Sequence, residues 1–286
     1  MTRILCVHGR DQHGKDPVRL RDSWAAGLNF GLTAAGRKPI DPDRIAFPFY
    51  GDVLERSRLR AVQAGTSLVI ESIDALPVDP LMPAEIAEVE SDLLGSMAAE
   101  IDGTEGTDEQ VEEGILRIPG ARRLLRLIAD RTRVDQTIIE SFLPDVAVYF
   151  KVARQEVLDV VRASLPPGDE PLVILGHSLG GLVVHDLLRD AAVRARTRLL
   201  VTLGSPLGLD ACFRNLLAGG AAHPGVPDWL AVYDRDDFVA LGHPLLGRYG
   251  PELVDLQVDN PAGKAHSITH YLGHEPVATR IADAVS

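Results

Sequence analysis

The sequence predicts an α/β fold with a mostly parallel sheet of about six strands and helices on both faces. First, short apolar runs suited to buried strands, such as residues 4–7 and 172–175, alternate with stretches whose apolar residues recur at helical spacing. Second, strands that alternate with helices pair in parallel. Third, 286 residues with 45% hydrophobic content suffice for one large core. We therefore expect a single domain over residues 1–286.

The first 50 residues are predicted to form a strand, a helix and a second strand. The strand is the apolar run at residues 4–7. The helix spans residues 23–36, with Ser23 as its N-cap and a glycine at its end. Residues 43–50 form the second strand, and Pro48 favours an edge position because proline has no N–H to donate.

Residues 54–142 interrupt this alternation and are predicted to be a helical insertion. Residues 83–97 have apolar side chains at helical spacing, and residues 117–133 contain six arginines. The insertion is either a cap that covers the functional site or a set of helices packed on each other and on the sheet rim. Residues 71–113 contain 14 acidic and no basic side chains, so docking of a basic partner is a third alternative.

The second half of the chain returns to alternating elements. An amphipathic helix is predicted over residues 145–165, with Asp145 as its N-cap. It leads to the buried strand at residues 172–175. Further strands are predicted at residues 198–204, 229–233 and 253–258.

A serine lies in the turn after the strand at residues 172–175. The turn reads Gly-His-Ser-Leu-Gly, with Ser178 between Gly176 and Gly180, and a helical pattern follows at residues 182–188. Glycines two positions on either side of a strained turn remove collisions between strand and helix. This arrangement resembles the nucleophile turn of the α/β-hydrolase superfamily of lipases, esterases and thioesterases. The resemblance implies that Ser178 is a nucleophile.

The same resemblance implies an oxyanion hole, formed by the backbone N–H of Leu179 and that of Gly9 or Arg10. In the family, a His-Gly pair after the first strand commonly marks the oxyanion loop, and His8-Gly9 occupies that place. The alternative is a plain glycine turn with exposed histidines. Ser205, in a later Gly-Ser-Pro turn, is a weaker candidate nucleophile because no glycine pair frames it.

The family places an acid and then a histidine after later strands. Asp237 opens an Asp-x-Val-Ala turn like that of lipase-like relatives, with Asp236 and Asp234 as alternatives. His266 precedes a segment that ends in Tyr-Leu, as the catalytic histidine does in related hydrolases. His270 is the alternative base.

A metal site is a further interpretation of the histidines. His266, His270 and His274 would share one face if this segment were a continuous helix. Gly273 and Pro276 make such a helix unfavourable. We therefore predict neither a metal nor another cofactor.

The predicted function is a serine hydrolase that cleaves a carboxylic ester or thioester of a small-molecule or lipid-like acyl substrate through an acyl-enzyme. Two alternatives stay open. The same three residues serve an acyltransferase or a thioesterase-type cyclase equally well. A non-catalytic binding protein can also be built on a hydrolase scaffold.

Charge and cysteine content indicate the expected environment. The net charge is −12, but outside residues 71–113 the chain carries 27 acidic and 29 basic side chains, which disfavours nucleic acid as a partner. Two cysteines give no disulfide framework, and no apolar run reaches 18 residues. We expect a soluble cytoplasmic protein without integral membrane association, and the sequence indicates no oligomeric state.

Overall fold

The computed structural model describes residues 2–70, 83–102, 121–132, 136–217 and 223–286. In this part of the chain, six strands form one sheet in the order β2-β1-β3-β4-β5-β6, and every neighbouring pair is parallel. The predicted α/β class, with a parallel sheet of about six strands, is confirmed. The strands are β1 (Arg3–Val7), β2 (Ile45–Ala46), β3 (Leu172–His177), β4 (Thr197–Leu203), β5 (Trp229–Tyr233) and β6 (Leu253–Gln257).

Helices cover both faces of the sheet. Before β3 the helices are α1 (Pro17–Ala34), α2 (Gly51–Ile70), α3 (Ala84–Asp102), α4 (Ala121–Thr132), α5 (Gln136–Val148) and α6 (Arg154–Ala163). After β3 they are α7 (Leu179–Leu187), α8 (Ala191–Arg196), α9 (Asp210–Asn215), α10 (Leu246–Tyr249), α11 (Ile268–Gly273) and α12 (Glu275–Val285). None of the helices in the described ranges is both long and apolar enough to cross a membrane.

Two hydrophobic cores lie on opposite faces of the sheet, because successive residues of a strand point to opposite sides. Leu5 and Val7 of β1 belong to the core that contains side chains of α2 to α7. Ile4 and Cys6 belong to the other core, which contains side chains of α1, α11 and α12. Every residue of β3 is buried, which places its carboxyl end in the middle of the molecule.

The first helix and the second strand differ from their predicted bounds. Helix α1 begins at Pro17 rather than near Ser23, because the carboxylate of Asp16 accepts hydrogen bonds from the N–H groups of the first turn. Strand β2 contains only two residues, since the residues before it form a 3-10 turn. Its position at the sheet edge agrees with the prediction from Pro48.

The helix predicted to start at Asp145 starts earlier, so Asp145 is not an N-cap. It lies inside α5, and a π-helical turn over Tyr149–Ala153 joins α5 to α6. The carboxylate of Asp145 pairs instead with Arg10, whose Nε lies 2.5 Å from Asp145 Oδ2. Asp145 therefore pairs with a residue that is distant in the chain, whereas its sequence context predicted a local helix cap.

The described residues between 54 and 142 lie almost entirely in helices α2 to α5. Helix α3 packs against α4, α5 and α9, so these helices share one core. Residues 68–70, whose apolar run left their type ambiguous, end α2. Much of the acidic segment, residues 71–82 and 103–113, lies outside the described residues.

Candidate active site

The carboxyl ends of four parallel strands bring the predicted site residues to one edge of the sheet. Ser178 follows β3 directly, and Gly9 is the second residue after β1. Asp237 and His266 lie in the loops after β5 and β6. In open parallel sheets this edge is the usual place for a ligand site.

The turn at Ser178 has the strained backbone that its glycines predict. Ser178 is a non-glycine residue with a positive φ of 56°, and α7 begins at the next residue. A Cβ on Gly180 would lie 2.2 Å from the carbonyl oxygen of Val7 and 2.6 Å from that of His8. Only glycine at position 180 lets α7 start this close to the end of β1.

Gly180→Ala is therefore expected to destabilise the protein by at least about 1–3 kcal/mol, the usual cost of forcing atoms into a packed site. The backbone carbonyl oxygens cannot rotate away as a side chain would. The matched control is Gly95→Ala in α3, where a Cβ meets nothing within 4 Å. The free energy of unfolding of Gly95→Ala should rise by up to about 1 kcal/mol, because alanine has a higher helix propensity than glycine. Urea unfolding of both variants measures the two effects, and equal stability would contradict the proposed contact.

The structure joins His266 to Asp237 and leaves Asp236 outside the site. His266 Nδ1 lies 2.8 Å from Asp237 Oδ2, and Asp237 is buried. The other carboxylate oxygen accepts the N–H of Val239 at 3.0 Å. Because a carboxylate accepts, Nδ1 of His266 carries the proton, and Nε2 of the neutral ring is free to take one.

The two alternative acids have other positions. Asp236 is exposed. Asp234 is buried, and its carboxylate accepts the backbone N–H of Asp236 at 2.8 Å and that of Asn260 at 2.6 Å. Asp234 thereby ties the loop after β5 to the loop after β6.

Tyr271 orients the buried acid and was not singled out from the sequence. Its hydroxyl donates to Asp237 Oδ2 at 2.7 Å and accepts the N–H of Asp234 at 3.0 Å. Burial and the nearby Asp237 carboxylate raise the pKa of Tyr271, so the hydroxyl keeps its proton. The Tyr-Leu pair that favoured His266 was the sequence feature that could have identified Tyr271.

His177 is the second residue of the site that was not singled out from the sequence. Its Nε2–H donates to the carbonyl oxygen of His266 at 3.1 Å, and the two rings lie 4.5 Å apart. Burial and the adjacent His266 lower the pKa of His177 well below its usual value, so its ring stays neutral. Its position beside Ser178 was the only sequence signal.

The His8-Gly9 turn is buried and held by Tyr50, which rules out a turn with an exposed His8. His8 donates from Nδ1 to the carbonyl oxygen of Gly9 at 2.7 Å and accepts the N–H of Tyr50 at Nε2, at 3.2 Å. The Tyr50 hydroxyl donates to the carbonyl oxygen of His8. Burial lowers the pKa of His8 to about 4, so the neutral ring keeps both bonds at physiological pH.

Two of the predicted oxyanion residues, Gly9 and Leu179, lie next to Ser178. A Cβ on Gly9 would be 2.7 Å from Cβ of Ser178, so the backbone of this turn touches the serine. Leu179 is the first residue of α7, and the N–H groups of a first helical turn have no carbonyl partner within the helix. Arg10 is fixed through its carbonyl oxygen, which accepts from Gln12 Nε2 at 2.7 Å.

A cleft of about 350 Å³ contains Ser178 and His266. Ile138 and Phe142 of α5 form part of its apolar lining. Ser178 Oγ is buried and has no hydrogen-bond partner among the described residues. Hydrogen bonds between nucleophile and base are often long without substrate, so this geometry suits a serine that pairs with His266 when substrate binds.

The remaining candidates lie away from this cleft. His270 is in α11 and is not part of the cleft lining. His274 pairs through Nε2 with Asn260 at 3.0 Å. Ser205 is buried, and its Oγ would lie 2.0 Å from a Cβ on Gly181. Among the residues the structure describes, no group of three or more His, Cys, Asp or Glu side chains could hold a metal ion.

Comparison of the chain with protein-family models, with curated proteins and with solved structures found no match. The geometry of this edge of the sheet is therefore what indicates a function. That geometry combines an acid, an imidazole whose Nδ1 pairs with this acid, a strained serine and nearby backbone N–H groups. Together these are the parts that acyl transfer requires.

Proposed function

We propose that the chain is a serine hydrolase of the α/β-hydrolase type that cleaves a carboxylic ester or thioester. The substrate is a small-molecule or lipid-like acyl compound. Ser178 is the nucleophile, His266 the base and Asp237 the acid that orients it. The cytoplasmic location stays a prediction from the sequence.

One observation carries the proposal: the pairing of His266 with buried Asp237 beside the same cleft as Ser178. A serine hydroxyl is a weak nucleophile until an adjacent base takes its proton. Asp237 holds the imidazole in the tautomer that accepts at Nε2 and stabilises the cation that forms. The positive φ of Ser178 supports the same interpretation, because backbone strain concentrates at functional sites.

In this mechanism, Ser178 Oγ attacks the carbonyl carbon while its proton moves to His266 Nε2. The oxygen of the tetrahedral intermediate accepts from the N–H of Leu179 and from that of Gly9 or Arg10. The leaving group then takes the proton from His266, and an acyl-enzyme remains on Ser178. Water, deprotonated by His266, cleaves the acyl-enzyme and restores the serine.

A fluorophosphonate probe tests this proposal directly, because it labels only serines activated for attack. The expected result is labelling of Ser178, located by mass spectrometry, and its loss in both Ser178→Ala and His266→Ala. Ser205→Ala is the matched control, since this buried serine lies outside the cleft. It should label like the wild type.

No label on folded wild-type protein, or a label that survives Ser178→Ala, would contradict the proposal. If the label forms, product analysis with water and with amine acceptors separates hydrolysis from acyl transfer. A Ser178→Ala variant that keeps full esterase activity would likewise exclude the assigned nucleophile.

A further inference from the structure

A second cavity adjoins the cleft and differs from it in chemistry. It has a volume of about 260 Å³ and shares only Arg10, Asp11 and Gln12 with the cleft. His13 of the same loop and residues of helices α2 and α5, including Arg58 and Asp145, supply the rest of its lining. Residues of the loop that follows β1 therefore line both the cleft beside Ser178 and this charged cavity.

Arg10 lies at the boundary of the two cavities and lines both of them. Its Nε pairs with Asp145 at 2.5 Å, and the side chains of Arg10 and Asp145 are 19% and 13% exposed. In the described part of the chain, neither terminal nitrogen of Arg10 has a hydrogen-bond partner. The two terminal N–H groups of a guanidinium match the two oxygens of a carboxylate.

The second arginine of the cavity is held in a similar way. Arg58 binds Glu55 through Nε and Nη2, both at 2.8 Å, and Nη1 has no hydrogen-bond partner among the described residues. The carboxylates of Glu55 and Asp145 thus fix the two arginines and leave donor groups on each. These acids also limit the charge that the cavity accepts, which favours a singly charged carboxylate over a doubly charged phosphate.

The position of His266 decides which part of the substrate reaches this cavity. His266 gives its proton to the leaving group, so the leaving group lies on the His266 side of Ser178. The adjoining cavity includes neither His266 nor the residues that follow it. The acyl part therefore extends toward α5, whose Ile138 and Phe142 line the cleft and whose Asp145 lines the adjoining cavity.

We propose that the adjoining cavity binds a carboxylate at the far end of the acyl chain, held by Arg10 and Arg58. The substrate class is then a half-ester or half-thioester of a dicarboxylic acid, with an apolar chain beside Ser178. This inference rests on the proposed function and narrows it to one substrate class.

The test compares pairs of 4-nitrophenyl esters with equal chain lengths. One member of each pair is a half-ester of adipic or pimelic acid, and the other is the uncharged hexanoate or heptanoate. The wild type should prefer the charged member by kcat/KM. Arg10→Gln should lower the ratio of charged to uncharged kcat/KM by about 10- to 100-fold, as expected for a hydrogen bond to a charged group.

Two further variants separate recognition from folding. The double variant Arg10→Gln/Asp145→Asn lacks the Asp145 carboxylate that Arg10→Gln alone would leave without its partner. Like Arg10→Gln alone, it should lower the ratio of charged to uncharged kcat/KM. Arg60→Gln is the matched control, because Arg60 lies in α2, pairs with Glu156 on the surface and lines neither cavity. It should leave the ratio unchanged.

Binding to the Ser178→Ala variant, measured by calorimetry with the same esters, does not depend on turnover. If the wild type is labelled and active but Arg10→Gln does not change the ratio of charged to uncharged kcat/KM, the carboxylate site is overturned. The hydrolase proposal then stays intact. Preferential binding of the half-ester to Ser178→Ala, with no labelling or turnover in the wild type, supports the site and overturns the hydrolase. Equal binding of both esters overturns the site.

Discussion

Asp237→Asn should lower kcat/KM for any ester substrate by about 10³- to 10⁴-fold, the loss typical of this change in a Ser-His-Asp site. His266 and Tyr271 both donate to Asp237 Oδ2, at 2.8 and 2.7 Å. An asparagine that presents its NH₂ group there opposes both donors and favours the wrong imidazole tautomer. It also supplies no charge to stabilise the protonated His266.

Asp236→Asn is the matched control, with the same chemical change one residue away. Asp236 is exposed, so the kcat/KM of the Asp236→Asn variant should stay within about twofold of the wild-type value. Single-turnover kinetics with a 4-nitrophenyl ester measure the chemical step in both variants. If Asp236→Asn is the more damaging change, the acid has been assigned to the wrong residue.

Glu90→Gln should stabilise the folded protein by about 3 kcal/mol above pH 7 and change little near pH 4.5. Glu90 is 8% exposed in α3, and its Oε1 has no hydrogen-bond partner in the described ranges. Burial raises the pKa of Glu90 from 4.5 to about 7. One pKa unit corresponds to about 1.4 kcal/mol, and this gives the expected size.

The direction of this pH effect follows from proton binding. Between pH 4.5 and 7 the folded protein holds a proton on Glu90 that the unfolded chain has released. The contribution of Glu90 to stability therefore falls as pH rises through this range, and the full penalty is present above pH 7. Glutamine stays neutral throughout and so removes the penalty.

Urea unfolding of the wild type and Glu90→Gln at pH 5 and pH 8 measures the difference. Exposed Glu88, in the same helix, provides the control Glu88→Gln, with an expected change within about 0.5 kcal/mol at both values. A Glu90→Gln gain that is the same at pH 5 and pH 8 would show that ionisation of Glu90 is not its cause.

The sequence by itself determined most of the strands and the turn at Ser178. Strands predicted at residues 198–204, 229–233 and 253–258 are found within one residue of those bounds. The periodicity of apolar residues is a local property of the sequence, so it can be recognised without knowledge of the fold. The glycines around Ser178 likewise report a local backbone requirement, which the structure shows as a positive φ.

The tertiary structure decided which of the clustered acids and histidines meet. Local context favoured Asp237 and His266, but the carboxylates at 234 to 237 differ little in sequence, and only packing shows that Asp237 is buried against His266. Their roles in catalysis stay a prediction. The hydrogen bonds of Tyr271 to Asp237 and of His177 to His266 join residues that are 34 and 89 positions apart, so they have no local signature.

The same reason explains why the structure differs from the sequence prediction at Asp145 and Arg10. The sequence assigned Asp145 to a helix cap because aspartate before an apolar pattern is a common local signal. The structure pairs it with Arg10, 135 residues away, and so creates the charged boundary between the two cavities. Local patterns determine helices, strands and strained turns, whereas pairing between distant side chains depends on how the strands are ordered in the sheet.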